Sequence, residues 1–149
     1  MALIIRSAQV ADQAALYAIG LATKELQVSA TDVFMEPAEF LRAITNEQSV
    51  FLVAQWQQNL VGFIYATLDD KEMVVQGYAC LVYLAVMPAY RGQGIAQALY
   101  QACEQALKAR GIHQIYSWAN TESNGAIIQF FQKQGFAAGH RYMWMDKKF

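Results

Sequence analysis

A chain of 149 residues is the usual size of one domain. With 56% hydrophobic and 15% charged residues it is too apolar for disorder, and its apolar runs are too short to span a bilayer. The net charge of −1 hides a split, because through Met87 four Lys/Arg stand against nine Asp/Glu, and from Pro88 onward seven stand against three. Neither half carries the clustered basic stripe of a nucleic-acid surface, so no nucleic-acid or membrane partner is expected. Two cysteines, Cys80 and Cys103, and an opening "MALIIRSAQVADQ" without a long apolar core point to a reducing, cytoplasmic setting. No repeat or linker divides the chain, so residues 1–149 read as a single domain.

In chain order, "LIIR" predicts a short strand. Asp12 is placed to cap a helix whose residues Ala15, Leu16, Ile19 and Leu26 keep helical spacing. Pro37 opens a second helix with Phe40, Leu41 and Ile44. "SVFLVAQW" and "LVGFIYATL" flank the polar "QQN" as a hairpin, and "VVQGYACLVYLAV" follows the acidic turn "DDKE" as a third strand of the meander. From Gly94 to Arg110 the residues Ile95, Leu99, Cys103, Ala106 and Leu107 repeat with helical period, and Gly111 marks the stop. "IHQIYSWA" predicts a strand, "NGAIIQFFQKQ" a helix ended by Gly135, and "RYMWMDKKF" a last strand, with room for one more short strand before it. The order implies a mixed sheet with helices on its faces.

"YRGQG" (residues 90–94) ends a strand and begins a helix, whose first amides lack intrahelical partners and can bind an anion. Gly92 and Gly94 admit a bulky phosphate with no Cβ in the way, and Arg91 adds charged donors. An ordinary turn using glycine for shape is the alternative at this point. The Lys-Ser/Thr ending of a P-loop and the third glycine of a dinucleotide fingerprint are both absent, which disfavours nucleoside triphosphates and NAD.

At these residues the chain resembles the GNAT family of N-acetyltransferases. Arg91, Gly94 and Ala96 occupy the positions of its Arg/Gln-x-x-Gly-x-Gly/Ala motif, and Asn124, Phe130, Phe131, Lys133, Gly135 and Phe136 match the spacing of its second signature. The resemblance implies a mixed α/β fold: a mostly antiparallel sheet of six to seven strands, splayed between strands four and five, with about four helices. It implies acetyl-CoA as cofactor. Leu84, Ala85 and Val86 would meet the pantetheine arm and the thioester, while Arg91, Gly92, Gln93, Gly94, Ile95 and Ala96 would hold the pyrophosphate. Asn124 would touch the pantetheine side or cap the helix that follows it, and Phe131 would lie beside the cofactor sulfur rather than deep in the core.

Phe131 stands where many relatives carry a tyrosine that protonates the departing thiolate, and phenylalanine has no proton to give. Tyr142 and Tyr116 are the candidates by strand position for that role; Tyr83 is the candidate end of a water relay that deprotonates the amine. Glu25, Glu36 and Glu72 are the available acids on the expected acceptor side. Cys80 reads as a small buried apolar residue before it reads as an acyl carrier, His113 as structural or exposed and His140 as a groove candidate. No metal-ligand spacing is present, so no metal is expected.

Two function classes follow. One is an N-acetyltransferase acting on a primary amine by direct attack in a ternary complex, the other a non-catalytic acyl-CoA-binding sensor. The acidic first half favours a cationic small-molecule acceptor, with a protein or peptide amine as the alternative. Monomer and homodimer are both compatible with the sequence, since the aromatic "YMWM" suits either an edge or a core.

Overall fold

The computed structural model describes residues 2–122 and 125–149. Among them, five strands form one sheet in the order β1 (Leu3–Ser7), β2 (Ser49–Trp56), β3 (Asn59–Thr67), β4 (Tyr78–Val86) and β5 (Gln114–Ser117). The first three pairings are antiparallel and the β4–β5 pairing is parallel. Helices α1 (Gln13–Ala22) and α2 (Pro37–Thr45) precede β2, α3 (Lys71–Val75) joins β3 to β4, α4 (Ile95–Lys108) crosses from β4 to β5, and α5 (Ala126–Lys133) follows β5. No helix among the described residues is long and apolar enough to cross a membrane.

The runs in β2 and β3 are nearly continuously apolar because both sheet faces are covered. On one face Val50, Ala54, Val61, Ile64 and Leu81 pack against Ile95, Leu99, Cys103 and Leu107 of α4, with Phe131 of α5. On the other, Phe51, Val53, Phe63, Tyr65 and Ala85 pack against Leu16 of α1, Phe40 of α2 and Phe34 of the intervening loop. Gly20 lets that loop close on α1, since a Cβ there would lie 2.2 Å from Phe34 Cζ.

Four features depart from the pattern read in the sequence. Asp12 does not cap α1. Its carboxylate accepts from Arg6 Nη1 (2.8 Å), Arg6 Nη2 (3.0 Å) and the Gln9 amide (2.8 Å), because a two-pronged guanidinium outcompetes neutral helix amides. Leu26 lies outside α1, which stops at Ala22, where the Thr23 hydroxyl bonds back to Ile19 O (2.8 Å). The acidic turn is a helix: Asp70 accepts from Met73 N (3.1 Å) and caps α3, so Val74 and Val75 are helical despite their strand preference.

The fourth departure concerns the last strands. Residues 136–149 form no strand, and five strands and five α-helices replace the expected six to seven and about four. Tyr142 and Trp144 alternate with Met143 and Met145, so both faces of this segment are apolar. Tyr142, Met143, Trp144 and Met145 are all exposed.

The Arg6 guanidinium holds the Asp12 carboxyl below its ordinary value, helped by the Gln9 amide and opposed by burial. A carboxylate with a lowered folded pKa contributes stability above its unfolded value of about 3.9 and loses that contribution as the pH falls through the folded value. Asp12→Asn is therefore expected to lower unfolding free energy by about 2 kcal/mol at pH 7. In urea titrations the gap to the natural chain should close below about pH 3.9. A gap independent of pH would show that the ion pair is not its source.

Candidate functional site

Strands β4 and β5 pair only from Tyr78↔Gln114 to Leu81↔Ser117. At the last pair the Ser117 hydroxyl donates to Leu81 O (2.7 Å), and beyond it the strands part. The fork opens at a β-bulge: Leu81 pairs with Ala66 and Tyr83 with Tyr65, so Val82 is an extra residue. Val82 and Tyr83 both face the α1/α2 core, whereas Leu81, Leu84 and Val86 face the α4 core. Among the described residues no strand pairs with the outer edge of 82–86. Leu84, Ala85 and Val86 thus lie along an open backbone edge.

That edge leads directly to the start of α4. Arg91 Nε donates to Val86 O (2.8 Å), tying the loop to the strand end. Gly92 and Gly94 are exposed at φ 76° and 80°, a region that favours glycine, and Gly94 forms the N-cap of α4. A Cβ added at either position would meet nothing within 4 Å. The first helical bond runs from Ala98 N to Gly94 O (3.0 Å), so the amides of Ile95 and Ala96 have no partner within the helix. Gln93, Gly94, Ile95 and Ala96 thereby form an open amide cradle at the positive end of a 14-residue helix, which fits a pyrophosphate on an extended amide-bearing arm. Asn124 lies outside the described residues.

On the opposite side of the sheet, Tyr65 of β3 and Tyr83 of β4 stand in register, as do Cys80 and Tyr116 across β4 and β5. Two tyrosines pin the loop between α1 and α2, Tyr17 donating to Met35 O (2.7 Å) and Tyr83 donating to Phe34 O. Tyr83 is thus given a loop-holding role at the place where the sequence suggested a proton relay. Burial raises the hydroxyls of Tyr65 and Tyr83; at Tyr65 a hydrogen bond with Thr67 opposes it and Asp69 adds to it ahead of Glu39, while at Tyr83 Glu39 adds to it. Burial likewise raises Tyr116, with Cys80 and Asp70 adding to it. The ion pairs found among the described residues join Arg6 to Asp12 and Lys108 to Glu104, so no cation pairs with Glu36, Glu39, Asp69, Asp70 or Glu72.

Other expected site residues are dispersed. Glu36 is exposed at the N-cap of α2, and its charge adds to the burial that raises Tyr17. Glu72 is exposed in the first turn of α3 and Glu25 in the turn Lys24–Leu26, and neither is among the charges that shift these hydroxyls. Phe131 is only 7% exposed, stacked on Phe136 with ring centroids 4.7 Å apart, and belongs to the α4 core. This corrects the expectation of a ring outside the core: the apolar face of α5 packs inward and carries Phe131 with it. Tyr142 is 76% exposed, edge-on to Trp118 at 6.1 Å, outside the sheet. Burial pushes the Cys80 thiol up against the lowering bond from Tyr116, which keeps it protonated and a poor acyl carrier. His113 fills the space beside Gly77, and His140 is exposed. Tyr65 was not singled out from the sequence, since only the β3–β4 register brings it beside Tyr83.

Residues 14–136 match the family model described as the acetyltransferase (GNAT) family. An acetyltransferase of Sodalis glossinidius is 34% identical over 107 residues, covering 72% of this chain and 70% of that protein. One of Pectobacterium atrosepticum is 35% identical over 92 residues, covering 62% of this chain and 60% of its own length, less than two thirds. Among solved structures, an aminoglycoside acetyltransferase from an uncultured soil metagenomic sample superposes with a TM-score of 0.76 at 20% identity, over 99% of this chain and 100% of that one. An N-acetyltransferase of Thermoplasma acidophilum in complex with coenzyme A gives 0.70 at 21% identity, over 93% and 92%. The two structures establish the shared fold.

Proposed function

Because the chain belongs to the acetyltransferase (GNAT) family, we propose that it transfers the acetyl group of acetyl-CoA to a primary amine on a small cationic molecule. The observation that carries this reading is the continuity of two unfilled backbone surfaces, the outer edge of β4 at Leu84–Val86 and the amide cradle at Gly92–Ala96. The cradle holds the pyrophosphate, with Arg91 fixed beside it through Val86 O. The β4 edge orients the arm and turns backbone amides toward the acyl oxygen, where negative charge develops on attack.

Acetyl-CoA brings an acyl carbon already activated by its sulfur. The amine must arrive neutral: its proton leaves through water on the side of the sheet that Tyr65 and Tyr83 face. The C–N bond forms as the C–S bond breaks. Tyr116, at the apex of the fork with its proton held by burial, or water then protonates the thiolate. The rim formed by Glu36, Glu39, Asp69, Asp70 and Glu72 draws a cation to the side of the sheet opposite α4.

A panel of amines with a free-thiol readout tests the reading. Diamines and aminoglycosides are expected to outperform neutral and acidic amines, and kcat/KM for cations is expected to fall with salt, since charges at the rim are screened over about 10 Å at 0.1 M. Glu39→Gln is expected to lower kcat/KM for cationic acceptors about fivefold, the worth of one exposed charge pair near 1 kcal/mol, with acetyl-CoA affinity unchanged. Neutral amines outperforming cationic ones at low salt would overturn the acceptor class. A second reading, a non-catalytic acyl-CoA sensor, is favoured by one observation: Phe131 is buried and has no proton to donate. Tight acetyl-CoA binding with no turnover on any amine would select it.

A further inference from the structure

Trp118 is the first residue after the last β4–β5 pair, Leu81↔Ser117, and so begins the β5 arm of the fork. Ile115 and Ala119 both pack against the α4 core, as Ala79 and Leu81 do from β4. Strand alternation therefore turns Tyr116 and Trp118 to the opposite face, as it does Cys80, and Tyr83 lies on that face too. An indole offers a large apolar surface, yet this one is 71% exposed. The Tyr142 ring meets it edge-on, with centroids 6.1 Å apart, and leaves most of it in solvent. Folding gains little from the ring there.

The charges felt on this face are anionic. Beyond burial, Glu39 adds to the rise of the Tyr83 hydroxyl, and Asp70 adds to that of Tyr116 after the larger contribution of Cys80. Among the described residues no cation pairs with Glu39 or Asp70. A π-face beside unpaired carboxylates attracts a cation in two ways, through the ring quadrupole and through charge. We propose that Trp118 determines acceptor specificity: its indole face takes a second cationic group of the amine substrate while the reacting amine sits at the apex of the fork. This rests on the acetyl transfer to a cationic amine proposed above, and adds that the acceptor carries a charge remote from the nitrogen that is acetylated. Holding the molecule at both ends orients the attacking nitrogen as well as binding it.

Three amines built on the same four-carbon chain read the remote group: putrescine, butylamine and γ-aminobutyrate. Trp118→Leu is expected to lower kcat/KM for putrescine about fivefold, the worth of one cation–π contact at an exposed site. Butylamine turnover, acetyl-CoA affinity and the thermal midpoint are expected to stay unchanged. Trp118→Phe should recover part of the loss, because a smaller ring still presents a π-face. Equal losses for putrescine and butylamine would make the ring an apolar wall without charge preference and overturn the proposal. A loss confined to γ-aminobutyrate would assign the contact to Arg141, which lines the same groove as Trp118, and overturn it as well. A direct readout needs no turnover: with Trp56→Phe and Trp144→Phe, Trp118 is the only indole left. With coenzyme A bound, its emission is expected to change saturably with putrescine and not with butylamine. No change overturns the proposal whether or not the natural chain turns over, whereas a saturable change without turnover on any amine overturns the transferase reading alone.

Discussion

Replacing Gly94 with valine is expected to weaken acetyl-CoA binding at least about 100-fold, equivalent to about 2.7 kcal/mol, in a chain that still folds. Gly94 sits at φ 80°, where a β-branched residue is strained by about 1–3 kcal/mol. No atom lies within 4 Å of a Cβ built there, so the folded chain meets that strain but no collision. The midpoint of thermal unfolding should fall by several degrees, at about 2–4 °C per kcal/mol for a domain of this size. The same open space is what an anion needs to reach the amides of Ile95 and Ala96. Two hydrogen bonds to a charged group, each worth about 1.5–3 kcal/mol, are enough to account for the loss. Calorimetric titration decides the matter: unchanged affinity in a folded variant would remove this loop from the site.

Phe40→Ala is expected to have the largest effect on stability, about 3–5 kcal/mol, with a thermal midpoint lower by roughly 10 °C or more. The Phe40 ring is fully buried and lies among Tyr17 (5.3 Å), Phe34 (5.6 Å), Phe51 (5.5 Å) and Phe63 (5.8 Å), measured between centroids. Its loss leaves a cavity under α2 and the loop that Tyr17 and Tyr83 pin down. The α4 core on the other face is untouched. Urea titration measures the first effect. At temperatures where the variant is folded, acetyl-CoA affinity should stay within about threefold of the natural chain while KM for the amine rises, because only the acceptor side has lost support. A drop of less than about 1 kcal/mol would mean that the aromatic cluster collapses to fill the gap.

Both strongly punctuated and strongly periodic segments were legible in the sequence. "SVFLVAQW" is β2 residue for residue, Pro37 opens α2, and the helix read from Gly94 to Arg110 is α4 with its cap and final turn. The cradle was legible for the same reason, since glycines with left-handed backbone leave a mark in composition. What escaped depends on partners distant in sequence. Asp12 has two competing uses, and only the approach of Arg6 from β1 decides between them. The hydroxyl of Tyr83 finds a carbonyl 49 residues away. Phe131 matches a motif position, yet its burial follows from how α5 rolls onto α4. Residues 142–149 carry a strand pattern, but pattern marks only fitness to pair.

The extra residue at Val82 also bears on how this chain can change length. Elsewhere in β4, losing one residue would turn every following side chain to the wrong face, carrying Leu84 and Val86 out of one core and Ala85 out of the other. At the bulge, loss of one residue would instead restore simple alternation between Leu81 and Leu84, with both cores keeping their occupants. Folding therefore tolerates a deletion at this point of the strand, and the irregularity persists because the fork begins there. Its retention or loss in the descendants of such a chain would record whether the open edge is still in use, independently of whether the domain remains stable.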